Sequence, residues 1–171
     1  MATTDKYITF EAAYQFLNKR LFDNKLEECV ITLNCDGVRK AFFVKNSFKT
    51  QDDRETRDEI ALNPDTLAGC TDIEILSTLA HEMVHKWQHD YGKPGKNASH
   101  NKEWAKAMKR IGLKPFNIVE PDRETEPACA HVIIEDGLFA QVCQELAAKR
   151  IKLNRQLQKS PANKRQKNKR I

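Results

Sequence analysis

At 171 residues, 40% of them hydrophobic and 31% charged, the chain is long enough to bury a core without disulfide or metal staples. Its five cysteines, Cys29, Cys35, Cys70, Cys129 and Cys143, are odd in number and contain no CxxC pair, which argues against both a disulfide framework and a cysteine zinc cluster. The net charge of +5 is a sum of opposites: residues 149–171 hold ten Lys/Arg and no Asp/Glu, leaving nineteen basic against twenty-four acidic residues in 1–148, so a body of −5 carries a basic end of +10.

No stretch approaches the roughly 20 apolar residues of a membrane span, and "MATTDKYITF" lacks a basic region followed by an apolar run. The expectation is a soluble protein of a reducing, cytoplasmic compartment with no membrane partner.

Along the chain, Phe10, Ala13, Tyr14, Leu17 and Leu21 recur at three- and four-residue steps and predict a helix. "CVITLNC" and "KAFFVKN", separated by "DGVR" with its Asp-Gly turn signal, predict two strands paired with each other. "NSFKTQDDRETRD" reads as a loop, and "EIALNP" as a short third strand stopped by Pro64. From Asp72 to about His89 the apolar residues again keep helical spacing, with Thr71 or Asp72 available as cap. Gly92, Pro94 and Gly95 end that helix. Another helical pattern runs from Ser99 to Ile111, followed by a left-handed cap at Gly112 and a stop at Pro115. Residues 113–130 are expected to be irregular, "HVIIE" to be a strand, and Phe139, Val142, Cys143 and Leu146 to start a last helix. Met83, Trp87 and Trp104 fall on packing faces and are assigned to the core. The chain thus divides into a domain over 1–148 and a basic tail over 149–171, too poor in large apolar side chains to order itself in isolation.

The chemistry is concentrated in "LAHEMVHKWQHD". His81 and His85 lie one helical turn apart, about 6 Å along the axis, so two imidazoles can reach one ion at about 2.0–2.1 Å each. Glu82 is rotated about 100° from His81; badly placed as a third ligand, it is well placed to take a proton from a metal-activated water. His89 continues the ladder but lies about 12 Å from His81, beyond a shared ion, and is expected to be a partly exposed surface residue. A catalytic zinc needs a third protein ligand and an open fourth position. His100, after the flexible "YGKPGKNAS", is the best candidate, expected in the first turn of the following helix; Glu103 is the competitor.

Together "HEMVHKWQHDYGKPGKNASHNKEWAKAMKRIGLKP", "EIALNP" and "HVIIEDGLF" resemble SprT-like zinc metalloproteases, the family of the bacterial SprT proteins and the eukaryotic protease Spartan, over most of residues 10–146. The stretches "EIALNP" and "HVIIEDGLF" resemble in particular the short SprT-like proteins of bacteria, phages and plasmids. The resemblance implies an α+β, minimal zincin-like fold, a three- to four-stranded sheet packed on helices that include the HExxH helix. It implies one Zn2+ per chain on His81, His85 and His100, with Glu82 as catalytic acid/base in a zinc-dependent endopeptidase. It also implies proteins as substrates, in the eukaryotic members proteins bound or crosslinked to DNA. His131, in a stretch that recurs in similar sequences, is a donor to the developing oxyanion, a partner of a metal ligand, or an ordinary histidine at a strand end. One departure is that no stretch here has the CxxC spacing of the cysteine-rich ribbon into which many bacterial relatives continue: this is a natural short form or the sequence stops before the ribbon.

DNA is the expected partner of the basic end. Lys149, Arg150, Lys152, Arg155, Lys159, Lys164, Arg165, Lys167, Lys169 and Arg170 suit phosphate contacts that read no sequence. Two other classes stay open: a non-catalytic, zinc-containing DNA-binding module, and a metallopeptidase that cleaves repressors through an acidic third ligand, here Glu103. Nothing in the sequence speaks to oligomeric state.

Overall fold

The computed structural model describes residues 4–35, 37–52, 54–125 and 129–155. These form seven strands and five α-helices: β1 (Lys6–Ile8), α1 (Phe10–Leu21), β2 (Cys29–Thr32), β3 (Ala41–Lys49), β4 (Thr56–Leu62), α2 (Pro64–Leu67), α3 (Asp72–Tyr91), α4 (Lys102–Arg110), β5 (Leu113–Asn117), β6 (Cys129–Ile133), α5 (Leu138–Ala148) and β7 (Ile151–Leu153). The fold is α+β, with one three-stranded sheet and two two-stranded ones.

The two early strands are not paired with each other. β4 lies between them, parallel to β2 and antiparallel to β3. Its residues from Asp58 to Leu62 are all buried, and a strand so covered gains most from a neighbour on each side. The loop expected over 46–58 is largely strand: β3 reaches Lys49 through an irregularity between Val44 and Phe48, where Asn46 takes φ 54° and its N–H donates to Asp58 Oδ1 at 2.8 Å. That half of β3 is exposed, so no apolar alternation marks it. Pro64 does more than stop β4; it opens α2, with Asn63 capping the N–H groups of Asp65 and Thr66.

α3 starts in a capping box in which Thr71 and Glu74 satisfy each other's backbone N–H groups. It packs on β3, β4, α1 and α4. Leu79, Met83, Trp104, Met108, Leu17 and Phe139 are fully enclosed at this junction of helices. Between α3 and β4 runs a buried ion pair: Lys86 Nζ lies 2.8 Å from Asp58 and 3.0 Å from Asp90.

Residues 113–117, expected to be irregular, form β5, antiparallel to β6 with Pro115 opposite His131. A strand with one neighbour tolerates a proline, which is why Pro115, past the end of α4 as expected, can sit within β5. Gly112 makes the tight entry from α4: its φ is +94°, and a Cβ there would come within 2.7 Å of the Phe139 backbone nitrogen.

The body also extends past the expected boundary at 148. Ile151–Leu153 pairs parallel with Lys6–Ile8, two strands too short to announce themselves in sequence. Asp72, at the start of α3, accepts from Leu153 N–H at 3.0 Å and from Arg155 Nε at 2.6 Å. Among the described residues, no helix is long and apolar enough to cross a membrane.

Candidate metal centre

His81 and His85 project from adjacent turns of α3 toward α4. The chain between the helices is tied down by Asn101, which caps α4 by accepting from Trp104 N–H at 3.0 Å, accepts from Gln88 Nε2 at 2.8 Å and donates to Lys93 O at 3.0 Å. His100 precedes this cap instead of occupying the helix's first turn, because Asn101 is the side chain that satisfies the free N–H of α4. The extended backbone there turns its ring to the other two. His100 Nε2 lies 3.2 Å from His85 Nε2 and 3.2 Å from His81 Nε2, and one nitrogen from each of the three rings falls within 4.8 Å of the others.

These separations suit a shared ion. Zn–N bonds of about 2.0–2.1 Å at tetrahedral angles hold ligand nitrogens about 3.3 Å apart. The protonation state suits it as well, since metal ligation needs neutral imidazole. Burial first, then the neighbouring rings His85, His131 and His100, hold His81 well below its ordinary pKa. Burial, then His100 and His89, push His85 down to about 3. Trp104 forms one wall, its ring 4.2 Å from that of His100, 4.9 Å from His81 and 5.4 Å from His85, centre to centre. It belongs to the core, as expected, and to the site, which its spacing alone did not reveal.

Glu82, which follows His81 on α3, is buried. Desolvation raises its carboxyl to about 8, against the opposing Arg39 charge and a hydrogen bond from the Phe43 N–H of β3. Arg39 has no motif around it, and only folding brings its charge to bear on Glu82.

The other expected residues fall as follows. His89 is half-buried against Phe43, ring centres 5.3 Å apart, outside the cluster. Glu103 faces the α3–α4 connection, accepting from Lys93 N–H at 2.6 Å and Gln88 Nε2 at 2.8 Å. His131 places Nδ1 3.2 Å from His81 Nδ1 and Nε2 3.1 Å from Ser77 Oγ. Of the basic residues, Lys149 pairs with Glu145, Arg150 and Lys152 with Asp5, and Arg155 with Asp72. Lys159, Lys164, Arg165, Lys167, Lys169 and Arg170 lie outside the described residues. No disulfide links the five cysteines, and none belongs to the histidine group.

Comparison with curated proteins and with solved structures returned no match. The model of the SprT-like family matches residues 10–131, which span α1, the central sheet, the three clustered histidines and His131. The minimal zincin-like architecture and the metal-competent cluster accord with that match, and the chain belongs to the SprT-like family of zinc-metallopeptidase-type domains.

Proposed function

We propose that the chain is a zinc-dependent endopeptidase whose metal is held by His81, His85 and His100 and whose general base is Glu82. The observation that carries this reading is the convergence of three imidazole nitrogens, from His81, His85 and His100, with the buried Glu82 carboxyl next to His81 on the same helix. Among the described residues no fourth His, Cys, Asp or Glu joins the three, which favours a hydrolytic over a purely structural site. Glu103, already hydrogen-bonded to Lys93 and Gln88, offers little to the repressor-cleaving alternative.

A zinc ion bound there would supply Lewis acidity to the scissile carbonyl. Glu82 takes the proton of the attacking water and returns it to the leaving amine; a carboxyl pushed up to about 8 has a proton affinity suited to both steps near neutral pH. Trp104 excludes water from one side of the three rings.

The substrates are proteins, and DNA-bound proteins are favoured by the basic end. The four described cations of that end are each paired with a carboxylate of the body through partly exposed ion pairs, so DNA contact is assigned chiefly to the six cations beyond 155, with Lys149, Arg150, Lys152 and Arg155 able to add to it. The domain accordingly runs through Arg155, with 156–171 as the basic appendage.

The test is incubation of wild type and Glu82→Gln with zinc and a DNA-binding protein, with DNA present or absent. Wild type should cleave, faster with DNA; Glu82→Gln should bind one zinc and cleave about 10²–10⁴-fold more slowly. Undiminished cleavage by Glu82→Gln ends the endopeptidase assignment. Removing 156–171 should abolish the stimulation by DNA at low salt; stimulation that survives the truncation ends the proposed role of the tail.

A further inference from the structure

The ring nitrogen of His81 that faces away from the cluster meets an ordered pair of groups. Ser77 lies on α3 one turn before His81, and its hydroxyl donates to the Glu74 carbonyl at 2.9 Å. With that proton committed, Ser77 Oγ has only lone pairs for His131 Nε2, 3.1 Å away, so Nε2 must carry the proton and donate it. A neutral His131 protonated on Nε2 has a bare Nδ1. That Nδ1 faces His81 Nδ1 at 3.2 Å, and two lone pairs there would repel, so His81 must be the donor. Its own lone pair then resides on Nε2, the atom 3.2 Å from His100 Nε2.

We propose that Ser77 and His131 are positioning residues: a hydrogen-bond relay from the Glu74 carbonyl through both side chains locks His81 as the Nδ1–H tautomer and so aims its Nε2 lone pair at the ion. The zinc part rests on the reading of His81, His85 and His100 as ligands; the tautomer part stands without it. A ligating imidazole whose second nitrogen is hydrogen-bonded is fixed in orientation and is a better base toward the metal. The partner usually sits on a carboxylate or carbonyl; here it is a second imidazole, itself tautomer-locked by a serine of the same helix. Both nitrogens of His131 are engaged, which leaves neither for a developing oxyanion.

The relay also joins two segments distant in sequence. His131 sits on β6, opposite Pro115, and its two hydrogen bonds are to Ser77 and His81 of α3.

The test uses the full chain and has two readouts besides activity. The first is the nitrogen chemical shifts of the His81 ring in metal-free protein, which tell which nitrogen bears the proton. The second is zinc affinity, measured by competition with a chromogenic chelator. His131→Leu removes the acceptor, whereas His131→Asn puts an amide oxygen close to where Nδ1 was. In wild type and His131→Asn, His81 should be the Nδ1–H tautomer; in His131→Leu it should shift toward Nε2–H. Zinc affinity should fall about 10–100-fold in His131→Leu and stay within about threefold of wild type in His131→Asn. Ser77→Ala, which frees His131 to take either tautomer, should weaken zinc by less than His131→Leu and serves in its place if that variant does not fold.

An unchanged His81 tautomer with zinc affinity within about twofold of wild type in His131→Leu or Ser77→Ala overturns the relay, as does a loss in His131→Asn equal to that in His131→Leu. Wild-type protein that shows the locked tautomer yet binds no zinc would overturn the metal-centre reading and leave the tautomer lock standing.

Discussion

Helix α3 serves two sites, and it holds them by opposite means. Midway along it, His81, Glu82 and His85 lie in surroundings dry enough to depress two imidazoles and raise a carboxyl. At its first residue, Asp72 receives Leu153 N–H and the Arg155 side chain, the latter 40% exposed. The first site draws on low dielectric, where an unmet polar group is costly and each hydrogen bond constrains its neighbour. The second draws on a partly solvated ion pair, which water and salt compete away. The proposed chemistry is therefore placed where burial makes geometry rigid, and the described part of the basic end is held by partly exposed, salt-sensitive ion pairs.

Substitutions can break this contrast. The largest effect is expected from His100→Ala, which leaves two imidazoles to hold the ion; zinc affinity, read by chelator competition, should fall by more than the roughly 10–100-fold loss typical of a partner that only touches a ligand. Next comes Lys86→Ala, which strands Asp58 in the interior with no cation and should cost about 3–5 kcal/mol in chemical denaturation. Gly112→Ala forces a side chain into a backbone at φ +94° and against Phe139, costing at least about 1–2 kcal/mol. At the far end, Arg155→Gln should change stability by no more than about 1 kcal/mol, and raising the salt should shrink even that. A loss from Arg155→Gln as large as that from Lys86→Ala would erase the distinction.

Acid sharpens the same comparison. Burial alone would raise the Asp58 carboxyl, but the Lys86 and Asn46 hydrogen bonds outweigh it and hold Asp58 below the ordinary carboxylate range. A depressed folded pKa means that the unfolded chain takes up the proton first as pH falls. The contribution of Asp58 is thus complete above the unfolded value of about 3.9 and is lost as pH drops through the folded one. Denaturation midpoints measured from about pH 6 to pH 3 should fall less steeply for Asp58→Asn than for wild type; parallel curves would remove Asp58 from the account.

What sequence alone determined was whatever depends on neighbours in the chain. Apolar spacing defined α1 at its observed ends and most of α3, and the four-residue step between His81 and His85 guaranteed that their rings share a face, because helix geometry is the same wherever a helix forms. Asn101 as the cap of α4 and Ser77 one turn before His81 were missed in the sequence although both signals are local. Tertiary structure decided the rest. It brought His100 to His81 and His85 and hydrogen-bonded Glu103 to Lys93 and Gln88 instead. It put β4 between β2 and β3, brought His131 to His81, and drew the chain past 148 into a strand beside β1. Those outcomes depend on which buried donors and acceptors can be satisfied together by segments dozens of residues apart, and no periodicity along the chain encodes that.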